Sequence, residues 1–197
     1  MGQILDERRS STERKTKETN VRVELLIDGK GSSEVNTGIA FLDHLLGTLA
    51  KHALFDLKVE AKGDLKHHLV EDVGLVLGEA LLSAVGDKRG IKRFGFAYVT
   101  MDDSLSRVVV DLGGRPYFVV DLKLKQNRIE DVMAEDVEHF FMSFAQTSKS
   151  NVHITALYGK NDHHKIEAAT KALALALRDA VSLVSKSDAI PSTKGVL

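Results

Sequence analysis

The 197-residue chain contains no cysteine. Disulfides, thiolate zinc sites and cysteine nucleophiles are thereby excluded, and nothing in the chain depends on an oxidising compartment. Any bound metal must sit on nitrogen and oxygen. Tryptophan is absent too, and aromatic residues make up only 6%, which leaves little surface for stacking nucleic-acid bases. Neither sign of charge is in excess: 27 basic residues face 28 acidic ones, for a formal net charge of -1. That balance exerts no general pull on nucleic acid or on an anionic membrane, although a local basic cluster can still grip a small anion. There is no run of the roughly 18 to 20 apolar residues that span a bilayer. The opening MGQILDERRSSTERKTKET is charged where a secretory signal would be apolar. We therefore expect a cytoplasmic protein with neither nucleic-acid nor membrane partners.

What is present is a patterned apolar content of 43%, enough for a substantial core. Only two prolines occur, both outside the helical patterns, and no Gly/Ser tract or block of like charge divides the chain. One domain over 1–197 is expected. Val21, Val23, Leu25 and Ile27 alternate as in a half-buried strand, and DGKGSS then reads as a turn. TGIAFLDHLLGTLAKHA has helical spacing. Leu57, Val59 and Ala61 alternate again before a long helical pattern from about His67 to Val85. The second half repeats this order, with RFGFAYVTM as an additional opening strand and HHKIEAATKALALALRDAVSLV as the closing helix.

At an offset of 96 residues HHLVEDVGLVLGEALLSAV aligns with HHKIEAATKALALALRDAV, matching both histidines, the glutamate, Leu77/Leu173, Leu81/Leu177, Ala84/Ala180 and Val85/Val181. Each half also carries a histidine on its first helix, His44 and His139, a similar distance upstream of the pair. The chain reads as an internally duplicated β-β-α-β-α unit with pseudo-repeats at about 1–90 and 91–197. The fold class this implies is α+β, in two layers with helices packed on mixed sheets.

On a helix His67 and Glu71 share a face, whereas His68 points about 100° away. The two adjacent rings therefore suit different metals. Six histidines and two glutamates (His44, His67, His68, Glu71, His139, His163, His164 and Glu167) supply four ligands to each of two ions, a donor set suited to manganese, iron or zinc. Gly74 and Gly78 line the His67/Glu71 face and call for another backbone close by, for which a partner subunit is one candidate. His52 and His153 fall outside the repeat and read as structural.

The assembled motifs RKTKET, GIAFLDHLL, HHLVEDVGLVLGEAL, RFGFAYVTMDDSL, DLGGRP, GKNDHHKIEAATKALALALR and PSTKG resemble the imidazoleglycerol-phosphate dehydratase family nearly end to end. The resemblance implies a duplicated α+β fold, a shell of 24 subunits with active sites at their interfaces, and two manganese ions per site held by the eight residues above. The implied reaction removes water from D-erythro-imidazole glycerol phosphate to give imidazole acetol phosphate, in histidine biosynthesis. It also implies Glu18 as general acid/base and Asp102 as a second acid or orienting group. Arg93, Arg115, Lys171, Ser192 and Lys194 are then expected at the phosphate. Pseudo-symmetry suggests grouping His44 with His67 and Glu71, and His139 with His163 and Glu167, each group completed by a histidine of the opposite half. Two positions depart from the family pattern: Thr48 stands where glutamine is usual, and Asp103 where glutamate is common. The same ligands would also suit a dinuclear metallohydrolase or a non-catalytic assembly protein.

Overall fold

Strands and helices follow the apolar periodicities closely. The computed structural model describes residues 7–184, 189–195 and 197. The first half runs β1 (Arg9–Lys15), β2 (Thr19–Leu26), β3 (Ser33–Asn36), α1 (Ala40–Ala53), β4 (Asp56–Gly63) and α2 (Lys66–Val85). The second runs β5 (Phe94–Met101), β6 (Ser104–Asp111), β7 (Tyr117–Asp121), a short hairpin β8 (Arg128–Ile129) and β9 (Val132–Met133), α3 (Ala134–Thr147), β10 (Asn151–Tyr158) and α4 (Asp162–Val181). The four-stranded sheets have equivalent orders, β1-β2-β4-β3 and β5-β6-β10-β7. In each, one parallel pair, β3 with β4 or β7 with β10, is joined through the first helix of that half.

The duplicated α+β architecture thus stands, and each half has three strands of its four-stranded sheet ahead of its first helix. β1 is hidden from a periodicity reading because its sequence, RSSTERK, has no apolar residue and its strand lies at the sheet edge. The four-residue β3 is too short to carry an alternation. α4 stops at Val181, and Leu183 instead forms an antiparallel bridge to Ile91.

Each sheet buries one face. Val21, Val23 and Leu25 of β2 lie beside Leu57, Val59 and Ala61 of β4; Val108 and Val110 of β6 lie beside Val152, Ile154 and Ala156 of β10. Each buried valine, leucine or isoleucine among them contributes roughly 1.5–3 kcal/mol of transfer free energy. α2 packs on β1 and β2 while α4 packs on β5 and β6, and the halves meet helix to helix: α1 lies on α4, and α2 on α3. Gly74 and Gly78 explain how closely α2 and α3 approach. A Cβ at Gly74 would come within 2.7 Å of Phe140 O, and one at Gly78 within 2.5 Å of Phe144 O. The neighbouring backbone expected there is α3 of the same chain, and no partner subunit is needed to explain these glycines.

The outward faces of the two sheets differ sharply. The first is charged, with Glu13 and Arg22 opposite each other and Glu24 beside Lys58. The second exposes Phe94, Phe96, Tyr98, Val109, Tyr117 and Val119.

Candidate metal centre

The packing of helices across the halves decides which histidines meet. His44 on α1 joins His163 and Glu167 on α4, with one ligand atom from each lying within 4.8 Å of the others. Glu167 Oε2 is 3.2 Å from His163 Nε2 and 3.4 Å from His44 Nε2, and its other oxygen accepts from Lys171 Nζ at 2.7 Å. Burial pushes the Glu167 carboxyl up, but the hydrogen bonds from Lys171 and His44 and their charges outweigh it, holding the group below its ordinary range. In the equivalent place, His67 Nε2 lies 4.0 Å from Glu71 Oε2 on α2, and its ring centroid is 5.0 Å from that of His139 on α3. The grouping suggested by pseudo-symmetry is therefore exchanged: His44 sits with the second pair helix, and His139 with the first. Side chains on the first helix of a half face the helix it packs on, which belongs to the other half.

All four paired histidines have Nδ1 against a carboxylate. His67 Nδ1 is 2.6 Å from Asp136, His68 Nδ1 2.9 Å from Asp64, His163 Nδ1 3.1 Å from Glu130, and His164 Nδ1 2.7 Å from Asp103. A carboxylate accepting from Nδ1–H fixes the tautomer that leaves the Nε2 lone pair free, which is the usual outer support of a metal-binding histidine. His139 Nδ1 is buried with no hydrogen-bond partner among the described residues. Asp64, Glu130 and Asp136 are functional candidates that motif reasoning passes over. Asp64 lies four residues before its histidine; Asp136 and Glu130 reach theirs only through tertiary packing. Asp103, one of the two departures from the family pattern, also accepts from the N–H groups of Lys160 and Asn161, and these bonds together with His164 depress its carboxyl strongly.

Glu18 and Asp102 occupy corresponding hairpin turns, β1–β2 and β5–β6. Glu18 lies 3.8 Å from His68 Nδ1, and Asp102 3.6 Å from His164 Nε2. Each half thus places an acid from its first hairpin against the second histidine of its pair. Glu18, Asp64 and His68 also bring one ligand atom each within 4.8 Å of one another, but this group is largely exposed. Hydrogen bonding to Asp64 raises the His68 pKa and lowers that of Asp64.

The imidazoleglycerol-phosphate dehydratase family model matches residues 37–177. The chain belongs to the imidazoleglycerol-phosphate dehydratase family. It is 54% identical to the imidazoleglycerol-phosphate dehydratase of Caldanaerobacter subterraneus over 193 residues, covering 96% of this chain and 100% of the relative. The Methanothermobacter thermautotrophicus protein is 53% identical, with 96% and 98% covered. The solved Pyrococcus furiosus structure superposes with a TM-score of 0.84 at 38% identity, covering 94% of this chain and 100% of that one. Its Staphylococcus aureus counterpart gives 0.82 at 35%, covering 89% and 99%. The chain is accordingly a hydro-lyase that acts in histidine biosynthesis on imidazole glycerol phosphate.

A substrate phosphate of this family needs cations, and the expected ones divide between two places. Lys171 stands beside Glu167. Arg93 is at the far end of α4, where its N–H donates to Ala180 O, its guanidinium grips both oxygens of Asp111, and Nη1 donates to Pro191 O at 2.9 Å. It thereby holds the turn that carries Ser192 and Lys194. Arg115 follows the Gly113–Gly114 turn, with its carbonyl accepting from Asn151 Nδ2. Lys171 and Ala180 are separated by ~13 Å of helix at about 1.5 Å per residue. One phosphate cannot bridge that span within a single chain. Thr48 lies half-buried on α1 one turn after His44. His52 and His153 belong to neither histidine cluster, and His153 faces outward beside Tyr117. Among the described residues no helix is long and apolar enough to cross a membrane.

Proposed function

We propose that the chain converts D-erythro-imidazole glycerol phosphate to imidazole acetol phosphate as a manganese-dependent, cytoplasmic homo-oligomer. It is the pair of His–His–Glu clusters, each with the Nδ1 of one histidine held by a carboxylate, that carries this reading. Nitrogen and oxygen donors without a thiolate fit manganese, and the unpartnered ring nitrogen of His139 fits a group that completes its bonding. His44, His163 and Glu167 would hold one ion, and His67, His139 and Glu71 the other. A divalent metal there would supply Lewis acidity that stabilises negative charge on the substrate's imidazole ring.

The remaining work falls to protein groups. The elimination takes a proton from one carbon and expels the hydroxyl of its neighbour as water; the enol so formed becomes the ketone. Glu18, on its turn beside His68, is placed to hold and move the proton, with Asp102 as the corresponding acid at His164. Lys171 meets the substrate on the Glu167 side, while Arg93, Arg115, Ser192 and Lys194 bind phosphate, Arg93 partly by holding the 191–195 turn.

Three observations support assembly. Among the described residues each inner cluster gathers three ligands, and His68 and His164 belong to neither. The phosphate cations are divided along α4. An apolar sheet face is left uncovered. Copies that supply the missing histidine and the missing cations to one another would close each site, in the 24-subunit arrangement the family resemblance implies.

Manganese-loaded protein should consume imidazole glycerol phosphate. Glu18→Gln should lower kcat by about 10²- to 10⁴-fold with metal content and particle size unchanged. Hydrolysis of phosphate esters with the imidazole substrate left intact would instead identify a metallohydrolase, and an unaltered rate in Glu18→Gln would remove Glu18 from the chemistry.

A further inference from the structure

The two hairpin turns that carry acids against the histidine pairs are held in different ways, and the difference centres on Asp72. Asp72 lies one turn after His68 on α2, is 9% exposed, and has no counterpart in the second half, where the equivalent position is Ala168. Its Oδ1 accepts from Arg14 Nε at 3.0 Å, and its Oδ2 accepts from the hydroxyl of Thr19, which is 4% exposed. Arg14 is on β1 and Thr19 opens β2, so this one carboxylate grips both strands of the hairpin just below the turn. The turn itself is tied together: Thr16 N–H donates to Thr19 O at 2.9 Å, and Thr19 N–H donates to Thr16 Oγ1 at 2.9 Å. Glu18 N–H donates to the same hydroxyl at 3.1 Å, and Glu18 O accepts from Asp64 N–H at 3.0 Å.

We propose that Asp72 is a positioning residue for Glu18: it fixes the Thr16–Thr19 turn to α2, so that the Glu18 carboxylate is held over the His68 side of the substrate site. This rests on Glu18 being the general acid/base. A buried carboxylate at this point is costly unless its hydrogen bonds are met, and both bonds it makes go to the hairpin rather than to α2. The second half needs no such residue. There Asp103, in the turn itself, accepts from Lys160 and Asn161 and fixes that turn to the start of α4. Each half thus has its own anchor: Asp72, reaching out from the helix, in the first, and Asp103, reaching out from the turn, in the second.

The test compares Asp72→Asn, Asp72→Ala and Thr19→Val, each alone and combined with Glu18→Gln, in the manganese-loaded assembly. Displacement of a reacting group by about 1 Å costs on the order of 10²-fold; the single variants should lose about 10- to 100-fold in kcat, with KM within about threefold of the parent. Manganese content and native mass should be unchanged, and Thr19→Ser should restore most of the rate. In the Glu18→Gln background the same substitutions should cause no further loss, because residues acting through one group are not additive. Equal losses in both backgrounds, or full kcat in Asp72→Ala, would overturn the proposal. Unchanged turnover in Glu18→Gln alone would overturn the acid/base assignment and the proposal with it, whereas loss there combined with additivity would overturn only the role of Asp72. Should Asp72→Ala fail to assemble, Asp72→Asn and Thr19→Val carry the comparison.

Discussion

The starts of α2 and α4 carry the same donors, His-His-x-x-Glu, on different supports. At α4, Asn161 caps the helix, its side-chain oxygen accepting from His163 N–H at 2.9 Å and His164 N–H at 3.4 Å. Inside the first turn Lys165, 2% exposed, is paired at 2.8 Å with fully buried Asp162. Glu167 is nearly enclosed and bound by Lys171. At α2 the N-cap position is Leu65, with no side-chain hydrogen bond; Lys66 and Leu69 replace Asp162 and Lys165, and Leu75 stands opposite Lys171. Glu71 is 43% exposed against 10% for Glu167. Duplication kept the His-His-x-x-Glu donors and let the supports diverge. The start of α4 thus carries its own cap and a buried ion pair, whereas the start of α2 has neither and leans on Asp64, on Asp136 from α3 and on the β1–β2 turn.

The largest contrast should come from Lys165. Its ammonium also donates to Lys123 O, and Asp162 Oδ2 accepts from the N–H groups of Lys125 and Gln126, so the pair locks the 123–126 loop to α4. Lys165→Met leaves a buried carboxylate short of its partner and should cost about 3 kcal/mol in urea unfolding. Lys66→Met, at the exposed start of α2, should stay within about 0.5 kcal/mol. The Asp162 carboxyl is raised by burial, but the bonds from Lys165, Gln126 and Lys125 dominate and hold it below its ordinary value. A depressed acid contributes stability in full above its unfolded pKa, about 3.9, and loses it as pH falls through the lower folded value. Protection of the start of α4 from hydrogen exchange, relative to the intrinsic rate at each pH, should therefore fall below about pH 4, and Lys165→Met should weaken that dependence.

A smaller effect is expected where carboxylates orient histidines. Asp136 is 3% exposed and 2.6 Å from His67 Nδ1; Glu130 is an exposed side chain 3.1 Å from His163 Nδ1. Loss of such a partner costs metal affinity about 10- to 100-fold. Asp136→Asn should lie at the upper end of that range and Glu130→Gln at the lower, read from manganese titrations of the protein without substrate. Equal losses would mean that burial of the carboxylate does not set the strength of the support.

Much of this was legible from residue order. The alternation in Val21–Ile27 and Leu57–Ala61, the helical stripe of α2 and the 96-residue echo led to the duplicated α+β fold. They also led to the eight proposed ligands, and the glycines Gly74 and Gly78 announced a close backbone. The exchange of His44 and His139 was not legible, because it depends on which helix packs on which across the halves, and periodicity within one helix carries no such information. Asp136 and Glu130 escaped for the same reason: each is an ordinary acid until tertiary packing brings it to an imidazole. Edge strand β1 escaped because a strand that buries no apolar side chain leaves no alternation to read.

The smallest expected difference concerns the caps, and it can be read in both directions. Asn161→Ala removes the acceptor for two of the otherwise unpaired N–H groups at the start of α4 and should cost about 1 kcal/mol. At Leu65 the cap is missing while the backbone is already extended (φ -118°, ψ 145°), the conformation an N-cap residue adopts. Leu65→Asn should therefore stabilise the start of α2 by up to about 1 kcal/mol, and because the Leu65 side chain is 56% exposed it gives up little packing. Asp64 now accepts from Leu65 N–H and from His68 Nδ1, and neither bond needs the leucine side chain. If thermal unfolding shows Leu65→Asn to be neutral while Asn161→Ala destabilises, the α2 start is already satisfied by water and its missing cap costs nothing. A gain at Leu65 that matches the loss at Asn161 would show that the two helix starts differ in their supports alone.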